Sequence, residues 1–197
     1  MSEAATPQMK ILLPPWAKLL IGIFVASLVG IVISIIFAAT TFANWQQKVR
    51  DPKEVQRIAA STFGIQQLPP KFAFAAGYKM PPALTLVVVS YDSDQTNFVI
   101  QQSDNTHGLT DPNLPEILQH DPIQPGTTLE KPTTGEGMIG GHKMSYMVGD
   151  LGASGKIKQF RAAFLSNNNK SVNRITGTTA DAAYNMEATK QLLSCIK

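Results

Sequence analysis

The chain of 197 residues is long enough for one domain and an appendage. A formal net charge of +3 is too small to point to nucleic acid, and the single cysteine, Cys195, excludes an intrachain disulfide and a zinc site built on paired cysteines. The charge is uneven: residues 92–136 hold eight acids (Asp92, Asp94, Asp104, Asp111, Glu116, Asp121, Glu130 and Glu136) against one base, Lys131, so an acidic middle lies between basic ends.

Residues 1–15 read as a short flexible tail, and Pro14 and Pro15 stop a helix from starting earlier. Residues 19–43, LLIGIFVASLVGIVISIIFAATTFA, carry no charge. About 20 helical residues cross the hydrocarbon core of a bilayer, so the run predicts a transmembrane anchor over 16–43. A secretory signal peptide is the competing reading, but its apolar region is only about 7–15 residues long. Trp16 and Trp45 bracket the run. At the helical rise they would stand about 43 Å apart, close to the bilayer with its interfacial layers, where Trp is enriched as an anchor.

Gly22, Ala26, Gly30, Ser34 and Ala38 recur at every fourth position of this run. That spacing places them along one slowly drifting helical face, and small residues let a second helix approach closely. The expected partners are therefore the lipid bilayer and a transmembrane helix, either of another subunit or of a second copy. The positive-inside count slightly favours a cytoplasmic C-terminal domain: Lys10 and Lys18 precede the run, and Lys48, Arg50, Lys53 and Arg57 follow it. Against this, long domains cross largely regardless of charge, and a first span with a short basic tail acts as a signal anchor. The reading adopted is a single-pass protein of a bacterial inner membrane with its C-terminal domain outside the cytoplasm. Lys48, Arg50, Lys53 and Arg57 then stand where anionic headgroups would be.

Residues 44–50 form a short juxtamembrane spacer, and 51–197 the soluble domain. In DPKEVQRIAASTFG, Asp51 is a natural N-cap, Pro52 suits the first helical position and Glu54 completes a capping box. Val55, Ile58, Ala59 and Phe63 share a face, and Gly64 is a stop. Strand-like runs follow at 72–80, 84–91 and 96–102; ALTLVVVSY is nearly continuous in apolar character and predicts a central buried strand. Residues 103–134 contain five prolines and two glycines. They read as a long acidic loop with a helical turn between Pro112 and Gln119. Strands resume at 138–149, 157–166 and 171–177. A terminal helix follows, with Thr179 as cap and Ala182, Ala183, Met186, Leu193 and Ile196 on one face. The fold class expected is α+β: an antiparallel sheet of about six strands flanked by N- and C-terminal helices.

That element order, with LPPKF before the first strand and LLSCIK at the end of the last helix, resembles the Mog1/PsbP-like fold over roughly residues 51–197. Members of that fold are mostly non-enzymatic accessory or binding proteins, so the resemblance implies such a role here. The DP..V..IA helix and the LPP.F turn are also similar to those of single-span bacterial membrane proteins.

Gly135-x-Gly137-x-x-Gly140 has the spacing of a dinucleotide-binding loop. Such a loop needs a strand before it and a helix after it. PGTTLEKPTT is a poor strand, and GHKMSYMVGDL alternates with a period of two, so the glycines are expected to open a strand rather than cradle a cofactor. His107, His120 and His142 are the candidate ligands for a metal, yet their spacing matches no recognised site. There is no G-x-S-x-G nucleophile elbow, and Cys195 has no catalytic signature around it. The sequence thus predicts a membrane-anchored accessory or assembly subunit without catalysis or cofactor. The alternative is an extracytoplasmic enzyme or metal-binding domain using the loop histidines.

Overall fold

The computed structural model describes Ser34, Thr41 and residues 47–80, 83–92, 96–119, 127–152, 157–179 and 186–197. The chain divides into two units, Met1–Gln46 and Gln47–Lys197. In the first, Ser34 and Thr41 are helical. Apart from Ser34 and Thr41, the predicted span with Trp16, Gly22, Ala26, Gly30 and Ala38 lies outside the described residues, as do Trp45 and His120. Among the described residues no helix is long and apolar enough to cross a membrane.

The second unit is α+β. Its elements are α1 (Pro52–Phe63), β1 (Phe72–Met80), β2 (Leu84–Tyr91), β3 (Thr96–Asp104), a 3-10 turn (Asp111–Asn113), α2 (Leu114–Ile117), β4 (Leu129–Ile139), β5 (His142–Leu151), β6 (Lys158–Leu165), β7 (Ser171–Thr179) and α3 (Met186–Leu193). All seven strands join one antiparallel sheet in the order β1-β2-β3-β7-β6-β5-β4. The last strand thus fills the centre, and β1 and β4 are the edges.

Helix α1 starts as its sequence predicts: the Lys53 amide donates to Asp51 Oδ1 at 3.0 Å, and Pro52 takes a position whose missing amide is not needed. Val55, Ile58, Ala59 and Phe63 are buried, and Gly64 ends the helix in the left-handed conformation. The capping box does not form. The Asp51 amide donates to the Lys48 carbonyl at 3.4 Å, while the Glu54 carboxylate turns along the helix to Arg57.

Successive side chains of a strand point to opposite faces, which separates two cores. On one face Val87, Val89, Phe98, Ile100, Phe160, Phe164 and Ile175 are covered by α1 and by Leu192 and Ile196. On the other, Met147, Ala163, Leu165 and Val172 are covered by Leu114 and Leu118. β2 is not the central strand expected from its composition. It lies second from an edge, and while Thr85, Val87 and Val89 are buried, Leu84, Leu86 and Val88 are only half-buried.

The largest departure from the sequence reading lies in 103–134. The segment is not one loop: β3 runs on to Asp104, and β4 begins at Leu129, making seven strands rather than about six. Pro132 and the left-handed Lys131 (φ 47°) disguise β4 as loop, and they produce a register shift between Glu130 and Thr133. The helical turn near 112–119 is present, as the 3-10 turn and α2.

Arg161 ties this segment to the sheet. It is 2 % exposed; its Nη1 donates to the carbonyls of Leu118 (3.1 Å) and Gln119 (3.0 Å), its Nη2 to that of Thr127 (3.2 Å) and its Nε to Gln159 Oε1 (2.7 Å). A guanidinium thereby satisfies carbonyls just past the end of α2, where no helical amide follows. At the C-terminal end, Thr179 closes β7, paired with Thr96 and Lys158, and the expected Ala182 and Ala183 lie outside the described residues. Of the expected face Ile196 is buried, Leu193 half-buried and Met186 37 % exposed, and Ala188, Thr189 and Leu192 are buried beside them.

Candidate functional site

The predicted strand at 138–149 is two strands joined by a turn. Ile139 pairs with His142, and between them Gly140 (φ 54°) and Gly141 (φ 84°) form a two-residue hairpin. Positive φ at both central residues is what a hairpin matched to the right-handed strand twist requires. The three glycines of the motif therefore sit in an antiparallel hairpin, with no helix behind the third.

Gly135 and Gly137 serve a different purpose. In the β4–β5 register they face Tyr146 and Met144. A Cβ on Gly135 would overlap the Tyr146 hydroxyl and come within 2.9 Å of its Cε1, and one on Gly137 would lie 3.3 Å from the Met144 Cε. The side chains of β5 thus lean across the bare backbone of β4. Gly140 is crowded from another side, since a Cβ there would lie 2.8 Å from the backbone carbonyl carbon of Lys197.

This arrangement leaves a groove of about 480 Å³ between the hairpin and α3. Tyr146 and Phe160 both line it, their rings stacked with centroids 6.0 Å apart. Met144 contributes from β5, Met186 and Leu193 from α3, and Lys190 and Lys197 add ammonium groups; Met138 borders the groove on β4, but its register with Lys143 puts its side chain on the other face of the sheet. Met138 is 68 % exposed and Met186 37 %, an unusual exposure for large apolar side chains. The volume lies within the range of small-ligand and anchor-residue pockets, and unbranched methionines adapt to occupants of different shape. The groove runs beside β4, an edge strand whose first half is blunted by Lys131 and Pro132 and whose second half is regular.

The candidate ligands do not converge. His142 leans on Phe164, ring centroids 5.8 Å apart, in a cleft with Thr62 and Asn173. His107 lines a separate cavity with Val172 and Arg174. Phe164 and Val172 belong to opposite cores, so the two histidines are served by different faces of the sheet. Among the described residues no three His, Cys, Asp or Glu side chains are grouped as a metal would need. Cys195 lies past the end of α3, half-buried, its thiol directed at the Gln191 carbonyl at 3.4 Å.

Of the basic cluster, Lys48, Arg50 and Lys53 are exposed. Arg57 is engaged: its Nε and Nη2 donate to the two oxygens of Glu54 at 2.9 and 2.6 Å. The hydrogen bond from Arg57 holds the Glu54 carboxyl below its ordinary value, and the bond to Glu54 raises the guanidinium. Sequence reasoning missed the groove with Lys190 on its wall, and Arg161. Their roles depend on the hairpin at Gly140, which brings β4 alongside β5, and on the long segment folding back over the sheet. No protein-family model and no curated protein matches the chain.

Proposed function

We propose that this chain is a non-catalytic accessory subunit of a membrane complex, tethered by residues 16–43, whose α+β domain grips a partner polypeptide in the methionine-lined groove. The observation that carries this reading is an apolar groove of about 480 Å³ with Met186, 37 % exposed, at its rim. A large apolar side chain left in water at the rim of an apolar cavity is characteristic of a docking surface. Lys190 and Lys197 line the same groove, so the best occupant is an apolar segment with acidic flanks. The uncharged run 19–43 and its ladder of small residues support the tether and a helix-to-helix contact within the membrane.

The test is co-purification of the full-length, C-terminally tagged chain in mild detergent. Met186→Glu and Lys190→Glu should reduce the recovered partner about tenfold, the loss expected from removing about 1.4 kcal/mol of binding free energy. Gly30→Ile should weaken it separately by closing the membrane face. Recovery unchanged by all three substitutions would remove the proposal.

A further inference from the structure

The face of the sheet covered by Leu114 and Leu118 carries two arginines with opposite circumstances. Arg161 on β6 uses its guanidinium fully, as described above. Arg174 stands on β7, the central strand, between Gln101 of β3 and Ala163 of β6. It is half-buried, and its Nε is buried with no hydrogen-bond partner. No described residue forms an ion pair with it, Asp104 included. Burial lowers the affinity of its guanidinium for the proton, and no carboxylate, Asp104 at the cavity edge included, offsets the effect. An arginine kept in the middle of a sheet without a partner is a standing penalty, because a buried donor left unsatisfied is destabilising.

The space in front of it is built. A cavity of about 330 Å³ is lined by Arg174 together with Ser103, Thr106 and His107, with Asp104 at its exposed edge. Its outer wall is held in shape by Asn105. That side chain accepts from the Leu109 amide at 2.7 Å and donates to the Leu109 and Asn169 carbonyls, both at 2.9 Å, so the loop after β3 is tied to the turn before β7. The hydroxyls of Ser103 and Thr106 and the ring of His107 add donors to those of the guanidinium. This concentration of donors around an unpaired cation is complementary to an anionic oxygen group, and the planar fork of arginine pairs best with two coplanar oxygens.

We propose that the cavity beside Arg174 is a binding site for a small oxyanion, a carboxylate or phosphoryl group, with Arg174 as the residue that pairs with it. The site lies on the other side of the sheet from the methionine groove and does not depend on it. Binding supplies the partners that the fold withholds from the guanidinium.

The experiment is thermal unfolding of the full chain in mild detergent with added sodium acetate or sodium phosphate, against sodium chloride at matched ionic strength. At about ten times the half-saturating concentration, one of the two probes should raise Tm by about 3–6 °C beyond the chloride control. A larger response to phosphate identifies a phosphoryl ligand, and a larger response to acetate a carboxylate. Arg174→Met should abolish the response while unfolding at or above the wild-type temperature without probe, because an apolar side chain of similar length removes a half-buried, unpaired charge and its unsatisfied Nε. Arg174→Lys should keep a weakened response. Absence of a saturable effect in the wild type overturns the proposal, whatever the variants do. So does an equal effect in Arg174→Met.

Discussion

Tyr146 fills the space that a side chain at Gly135 would need: the two residues are directly opposed in the β4–β5 register, and a Cβ at Gly135 would overlap the tyrosine hydroxyl. A glycine in a strand interior is intrinsically destabilising, and an aromatic ring laid across it from the neighbouring strand recovers buried area. The motif that looks like a nucleotide loop is thus a device for packing β5 over an edge strand. It predicts a ranking of alanine substitutions. Gly141→Ala meets nothing within 4 Å and strains only φ at 84°, so it should lower stability by about 1 kcal/mol. Gly135→Ala must displace Tyr146 and should lower it by about 1–3 kcal/mol. Gly140→Ala combines positive φ with a clash against the Lys197 backbone and should be the most damaging. Thermal unfolding of the three variants by near-ultraviolet circular dichroism checks the order, and a Gly141 variant as unstable as the Gly140 variant would contradict it.

Arg161 makes a separable prediction. Arg161→Ala removes the donor from three carbonyls and leaves a void on β6, so a loss of more than about 2 kcal/mol is expected. Arg161→Met keeps most of the volume and should be milder. Both should accelerate amide hydrogen exchange around Leu118 and Thr127 by more than tenfold, while β2 and β3 keep their protection until global unfolding. Uniform acceleration across the sheet would mean that Arg161 supports the whole domain rather than its covering segment.

The elements legible in the sequence are those whose side chains follow one local rule. The α1 helix has its cap, its apolar face and its glycine stop within fourteen residues, Asp51 to Gly64, and β2 and β3 stand out as β-branched and aromatic runs between turn signals, although the continuous run of β2 misled about its place in the sheet. β4 was illegible because Pro132, a left-handed Lys131 and two glycines break its pattern, and the reason those residues are tolerated lies on β5, not in β4 itself. The capping box failed because Arg57, one turn away, offers Glu54 a bidentate charged partner that a single backbone amide does not match. The groove and the Arg174 cavity were invisible for one shared reason. Each is assembled from segments far apart in the chain, and the buried position of Arg174 follows from β7 taking the centre of the sheet.

The Glu54–Arg57 pair predicts a pH dependence with a defined sign. Glu54 is held below its ordinary value of 4.5, chiefly by the hydrogen bond from Arg57. A depressed carboxyl contributes stability that is present above its unfolded-state value and is lost as pH falls through its folded-state value. Wild type should therefore exceed Glu54→Gln in stability at pH 7, and the gap should close below about pH 4. Both groups are exposed, so the gap should be small and should shrink in high salt. Unfolding temperatures of the two proteins across that range decide it, and a gap that widens towards acid would show that Glu54 acts through something other than this pair.

The groove itself can be blocked from within by the same chemical change that is harmful two residues earlier. A Cβ on Gly137 would lie 3.3 Å from the Met144 Cε, the far end of a flexible side chain that can yield, whereas a Cβ on Gly135 meets the rigid ring of Tyr146. Valine also suits a strand better than glycine, by up to about 1 kcal/mol. Gly137→Val should therefore leave stability within about 1 kcal/mol of wild type while its side chain occupies the groove. Gly135→Val should destabilise the hairpin. If a partner docks in the groove, Gly137→Val reduces its recovery about tenfold in a chain that is fully folded, as Met186→Glu does from the rim. Normal partner recovery by a folded Gly137→Val chain would move the docking surface elsewhere on the domain, and the exposure of Met186 would then need another explanation.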